Sequence, residues 1–318
     1  MKDFKGYKKG VNLGGWLSQC KHTYEHYDSF ITEADIEKIA SWHTDHVRLP
    51  VDYNLLEDES GNVIERGYSY IDSAVKWCKK YGLNLVIDLH KTAGYSFDKG
   101  ENESGFFDNP ALQERFMKLW ERIAERYAVS DGTIAFELLN EVTEQRFSDT
   151  WNSIIKSCIE RIRRYAPETV ILVGGYWQNS PDAVPDLEAP YDDKVVYNFH
   201  CYDPMNFTHQ GAYWVDGMDT AFRMSFDKCD PAVTAEFFME RFSRAAEAAE
   251  KNGTVLYCGE YGVIDNAEPE DVLKWFKAIN AAFEKMNISR AAWSYKQMDF
   301  GLADSRMDEV RHELQKYL

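Results

Sequence analysis

No stretch of this 318-residue chain stays apolar for the roughly eighteen residues that a membrane-spanning helix requires. Its opening, MKDFKGYKKG, runs directly into a strand-like segment without the apolar region or small-residue cleavage site of a signal peptide. The expectation is a protein that neither spans a membrane nor is exported as written: cytoplasmic, or secreted if the chain is an excised catalytic domain. Basic residues are scarce, 36 Lys and Arg against 53 Asp and Glu, for a net charge of −17. That balance argues against nucleic acid or an anionic membrane surface as partner, because both are bound by clustered cations. The six cysteines, Cys20, Cys78, Cys158, Cys201, Cys229 and Cys258, stand singly without C-x-x-C spacing, so free thiols in a reducing compartment are expected. A G-x-S-x-G elbow, a Walker loop and a G-x-G-x-x-G turn are also missing, and the Gly174–Gly175 turn lacks a neighbouring cation to hold phosphate.

What the chain does have is a 44% hydrophobic share with 14% aromatics, enough to bury a sizeable core. Short β-branched runs alternate with amphipathic stretches from end to end. The runs are Gly10–Leu13, Asp45–Pro50, Asn84–His90, Thr133–Asn140, Thr169–Gly175, Lys194–His200, Thr254–Glu260 and Arg290–Ser294. Helical patterns fall at Thr32–Trp42, Tyr70–Tyr81, Ala111–Tyr127, Thr150–Tyr165, Thr234–Lys251, Glu270–Lys285 and Arg306–Tyr317, with Ser180–Glu188 as the place for a short eighth helix. Eightfold β-α alternation with near-continuously apolar strands points to a (β/α)₈ TIM barrel, and a doubly wound open sheet is the second choice. With no linker, the expectation is one domain over residues 1–318. Two connections are longer than a barrel needs, Lys91–Asn109 and Asp203–Ala232, and both follow strand ends, where barrel enzymes build their sites. The second, a lid-like insertion after strand six, is rich in rings suited either to sugars or to its own small core.

Polar residues at the carboxyl ends of barrel strands share one pocket. Here they are Arg48, His90, Asn140, Glu141, His200, Tyr202, Glu260 and Trp293, while Trp16 and Trp177 follow strands one and five. Glu141 and Glu260 each close an apolar strand where propensity would not place a carboxylate. Two opposed carboxyls are what glycoside hydrolysis requires, one to protonate the leaving oxygen and one to attack the anomeric carbon or activate water there. Glu137, two residues per repeat below Glu141 on the same strand face, reads as a buried structural carboxylate paired with Arg48. Arg48 and Tyr202 are placed to keep Glu260 ionised. His90 and His200 lack metal-ligand spacing and suit hydrogen bonding to hydroxyls, so no metal is expected. The tryptophans offer flat faces on which sugar C–H groups can stack.

Taken in order, Arg48, His90, Asn140 with Glu141, His200 with Tyr202, Glu260 and Trp293 resemble the strand-end signature of glycoside hydrolase family 5, the cellulase-type family. The likeness runs from NLGGW (Asn12–Trp16) to AAWSYK (Ala291–Lys296). It implies that Glu141 is the acid/base and Glu260 the nucleophile of a retaining double displacement, and that Asn140 binds the sugar 2-hydroxyl. By the same likeness His90, His200 and Trp293 line the −1 subsite. Val142 stands where the family often has proline. The NLGGW and SYKQMDF segments further resemble compact β-glucanases of the family that carry a lid after strand six. The implied activity is a cofactor-free, monomeric endo-β-1,4-glucanase acting on soluble β-1,4- or mixed-linkage glucans and their oligosaccharides. A β-mannanase or exo-β-1,3-glucanase is the alternative within the family, and a non-catalytic β-glucan-binding barrel is the alternative outside it.

Overall fold

The computed structural model describes residues 2–98, 100–128 and 131–318. Eight parallel strands close in sequence order into a barrel: β1 (Lys9–Asn12), β2 (His46–Asp52), β3 (Asn84–Lys91), β4 (Ile134–Glu137), β5 (Val170–Gly174), β6 (Val195–Cys201), β7 (Leu256–Tyr261) and β8 (Ser289–Ala292). All eight expected runs form strands. The largest departure is β4, which ends at Glu137 rather than Asn140. Asn140 still donates its N–H to the Leu89 carbonyl, but Glu141 turns into the left-handed region (φ 43°).

The helices follow their local chemistry. Thr32 and Asp35 form a reciprocal capping box at Glu33–Ala40. Asn109 caps Pro110–Tyr127 with Pro110 in the first turn, and Thr234 caps Ala235–Lys251. The helix expected from Tyr70 begins earlier, at Glu65. The Ser180–Glu188 segment is a 3₁₀ helix, Pro181–Asp186; Pro181 is tolerated in its first turn, but Pro185 inside it lacks the N–H that an α-helix would need. The final helix, Asp308–Leu314, is flanked by 3₁₀ turns, and a short helix, Tyr24–Ser29, precedes Glu33–Ala40. None of the helices among the described residues is long and apolar enough to cross a membrane.

Side chains two residues apart share a strand face, so the barrel interior is built in layers. The lowest is apolar: Val86, Ala135, Leu172, Val196, Tyr257 and Ala291, closed from below by Phe4 and Tyr7. The next layer up is polar, with Asn12, Arg48, Asp88, Glu137 and Asn198 all buried. Between β6 and β7 the register shifts after Phe199, so that Phe199 pairs with Cys258 but His200 pairs with Glu260. This bulge re-aims β7. Tyr261 packs outward against Trp275, Phe276 and Phe283, which leaves Glu260 facing inward. Gly259 is what permits it, since a Cβ there would stand 2.7 Å from the Asn198 amide oxygen and 2.9 Å from His200 Nε2.

The 203–232 insertion divides its rings between two uses. Phe207 is buried against Phe226, and the Gln210 amide brackets the backbone of Met224. Thr208 and Gln210 tie the insertion to the loop after β7 through Ile264 and Asn266. Tyr213, Trp214 and Phe222 remain exposed.

Trp16 corrects an expectation. It is fully buried, donates its indole N–H to the Tyr27 carbonyl and packs on Tyr70 and Trp77. It therefore belongs to the core outside the barrel and offers no face to a ligand. Trp16→Ala is expected to lower stability by about 3–5 kcal/mol in urea unfolding, with KM for soluble glucan unchanged in the folded fraction; a raised KM without lost stability would contradict this placement.

Candidate active site

The site is organised around the guanidinium of Arg48, which is fully buried. Its Nε and Nη2 grip Glu137 at 2.7 and 2.8 Å. Nη1 reaches Asn12 at 2.9 Å and Glu260 at 2.7 Å. Nη2 also donates to Asn140 at 2.9 Å and faces Asp88 at 3.0 Å. The pairing of Glu137 with Arg48 read from the sequence is thus present, and so is that of Arg48 with Glu260. Asn198 supports Glu137 (2.8 Å) and accepts the Gly259 N–H. Asn12 binds the carbonyls of Gly259, Ala291 and Ala292.

Above this layer lie the two glutamates. Glu260 accepts from Arg48 and, at 2.9 Å, from the Tyr202 hydroxyl. Glu141 sits 2.8 Å from His200 Nδ1, the same nitrogen being 3.6 Å from Glu260. Its left-handed turn is clamped on two sides. The Tyr95 hydroxyl donates to the Glu141 carbonyl and accepts the Thr143 N–H, while Gln178 N–H donates to the Val142 carbonyl.

Electrostatics separate the pair. Burial pushes the Glu141 carboxyl well above its ordinary range, and the neighbouring Glu260 pushes it further. Burial also raises Glu260, but Arg48 and the Tyr202 hydroxyl oppose it. Glu141 therefore takes a proton first, and Glu260 is the one held as a carboxylate. Burial drives His200 well below its usual value and His90 down to about 4, so both imidazoles are neutral near pH 7. The Tyr202 phenol is raised, first by burial and then by the two glutamates, which keeps it a donor.

The structure brings together Arg48, His90, Asn140, Glu141, His200, Tyr202, Glu260 and Trp293. Trp293 lies parallel to His90, ring centres 5.9 Å apart, over Gly14, where a Cβ would meet the indole at 2.9 Å. Trp177 is 49% exposed on the turn after β5 that contacts the Glu141 loop. Among the described residues Glu141, His200 and Glu260 present donor atoms within 4.8 Å of one another. A cation there would compete with the fixed charge of Arg48, 2.7 Å from Glu260, so the set is poorly suited to hold one. Sequence reasoning missed Asn12, Asp88 and Asn198. Their common signal is a polar residue in or beside an apolar strand run, as in NLVIDLH and VVYNFH.

The sequence model of the cellulase family, glycosyl hydrolase family 5, matches residues 5–299. Cellodextrinase A of Ruminococcus flavefaciens is 57% identical over 286 residues, 90% of this chain and 84% of that one. Endoglucanase C of Acetivibrio thermocellus is 40% identical over 333 aligned positions, 97% of this chain and 96% of that one. Among solved structures, endoglucanase Cel5A from the hyperthermophilic Thermotoga maritima superposes with a TM-score of 0.84 at 25% identity, covering 98% of this chain and 97% of that chain. The clostridial cellulose synthase subunit Z from Clostridioides difficile gives 0.83 at 27% identity, with 97% and 99% covered.

The raised carboxyl of Glu141 has a consequence for stability. Above the unfolded value of 4.5 the unfolded chain has released a proton that the folded chain still holds, so stability falls as pH rises through that window. Glu141→Gln removes the effect. It is expected to stabilise the fold at pH 7, with the difference vanishing below pH 4.5, as read by thermal unfolding across pH; equal stability at both ends would refute it.

Proposed function

Since the chain belongs to glycoside hydrolase family 5 and is a β-glucan hydrolase, we propose that it is a retaining endo-β-1,4-glucanase. Its substrates are soluble β-1,4- or mixed-linkage glucans and their oligosaccharides. The observation that carries retention is distance: a carboxylate oxygen of Glu141 and one of Glu260 approach within 4.8 Å. Retaining pairs stand about 5–5.5 Å apart, whereas inverting pairs need about 6.5–9.5 Å to admit a water between.

In the first step the Glu260 carboxylate attacks the anomeric carbon while the glycosidic C–O bond breaks, and Glu141 gives its proton to the departing oxygen. In the second, Glu141 takes a proton from water, whose oxygen displaces Glu260 from the sugar. Arg48 and Tyr202 hold Glu260 charged beforehand. Asn140 meets the 2-hydroxyl, where a hydrogen bond can strengthen in the transition state. His90 and His200 line the same sugar and Trp293 forms its floor. Trp177, on the turn packed against the Glu141 loop, stacks the leaving side of the chain. The 57% identity to a cellodextrinase supports short soluble glucans as substrates.

Proton NMR of early hydrolysis should show the β-anomer first, and an initial α-anomer would defeat the retaining assignment. Glu141→Ala should lose about 10²–10⁴-fold in turnover on barley glucan but far less in kcat/KM on an aryl cellobioside, whose acidic leaving group departs without protonation, while its kcat still falls because water must attack without the base. Glu260→Ala should lose both. Initial rates on carboxymethylcellulose, barley glucan, laminarin and mannan, with viscosity and reducing ends followed together, test linkage and endo action. Preference for laminarin or mannan would transfer the chain to the alternative activities.

A further inference from the structure

Asp88 lies in the polar layer yet is outside the eight signature positions. On β3 it pairs in register with Pro50 and Glu137 and shares a strand face with His90 two residues on. It is fully buried. Its Oδ2 is 2.6 Å from His90 Nδ1 and 3.0 Å from Arg48 Nη2, while Oδ1 has no partner. Burial raises this carboxyl to about 7, against the pull of Arg48.

Because Oδ2 faces a guanidinium that can only donate, any proton on Asp88 sits on Oδ1. Oδ2 remains an acceptor, so the hydrogen in its bond to His90 must come from Nδ1. A neutral imidazole protonated there presents a bare lone pair at Nε2. That nitrogen lies 3.5 Å from the Asn140 amide nitrogen, and the Asn140 oxygen is taken by Arg48 at 2.9 Å. The amide is therefore oriented from both ends: oxygen toward the cation, nitrogen toward the lone pair. The opposite tautomer would set N–H against N–H.

We propose that Asp88 is a positioning residue that fixes the Nδ1–H tautomer of His90 and, through it, the orientation of the Asn140 amide that meets the substrate. This rests on the reading of Asn140 as the group that binds the 2-hydroxyl. Asp88→Ala removes the acceptor. Asp88→Asn keeps one, because its amide oxygen is the end that Arg48 selects.

The experiment compares an aryl β-cellobioside with its analogue lacking the 2-hydroxyl on the reacting sugar. Asp88→Ala is expected to lose about tenfold or more in kcat/KM on the hydroxylated substrate, the value of one hydrogen bond of about 1.4 kcal/mol, and to stay within about threefold of the parent on the deoxy analogue. Asp88→Asn should stay near the parent on both. Equal losses on the two substrates, or no rescue by Asn, would overturn the proposal. Asn140→Ala run alongside separates the two readings: if it too shows no hydroxyl-dependent loss, the assignment of Asn140 fails instead. Should Asp88→Ala not fold, ¹⁵N-histidine NMR of the parent decides, with His90 identified by its absence in His90→Gln. An Nδ1-protonated pattern is expected, and an Nε2-protonated one would end the proposal.

Discussion

Everything at the mouth of this barrel depends on one buried cation. Arg48 lies at the height where the interior changes from apolar to polar, and three carboxylates, Asp88, Glu137 and Glu260, touch its guanidinium. Buried charges persist only when paired and hydrogen-bonded, and Arg48 meets that demand for the whole layer. It has no charge left for a fourth carboxylate. Glu141, the fourth, has a neutral imidazole as its nearest partner, so burial and the adjacent Glu260 leave it protonated. The division of labour between two chemically identical side chains thus follows from a shortage of positive charge, with Arg48 spent on one side of the cleft.

The two glutamates reach that cleft by different backbone routes. Glu260 arrives on a strand whose bulge at Gly259 reverses the inward parity. Glu141 arrives after a strand that stops early, on a left-handed turn held by Tyr95 and Gln178. A left-handed non-glycine residue costs on the order of 1–3 kcal/mol and persists only where its surroundings over-determine it. Here those surroundings come from the loops after β3 and β5, so the long Lys91–Asn109 connection contributes to placing Glu141 as well as to bounding the site.

Much of this was legible in the sequence because barrel topology converts strand ends into neighbours. Eight apolar runs located the strands, and polar residues closing them located the cleft, including the pairing of Glu137 and Glu260 with Arg48. Glu137 is the deeper of the two strand-four carboxylates, as expected, although not through a shared strand face: β4 ends at Glu137 and a turn carries Glu141. What escaped was the layer beneath. Asp88, Asn198 and Asn12 sit among apolar neighbours, and nothing in a single sequence distinguishes an inward polar side chain from one capping an outer helix. Trp16 failed for the converse reason: an indole just after a strand can face the cleft or the helical shell, and the chain after Gly15 sends it to Tyr70 and Trp77. The short helix expected within Ser180–Glu188 is present at Pro181–Asp186, but as a 3₁₀ helix with Pro185 inside it.

Depth also explains why the polar layer is so exacting. Each of its amides is used at both ends: Asn12 spans Arg48 and the β7 and β8 carbonyls, Asn198 spans Glu137 and Gly259, and Asn140 spans Arg48 and His90. An amide has distinguishable ends, so a chain of such bonds has a direction, and that direction begins at the donor-only guanidinium. Arg48 selects the oxygen of Asn12 and of Asn140, which turns their nitrogens toward the strand-end carbonyls and toward His90. Lysine at position 48 would supply the charge without the planar five-donor fork that sets this polarity. The cation therefore does more than balance carboxylates: it determines which groups facing the cleft are donors before any substrate enters, so that binding need not reorganise them.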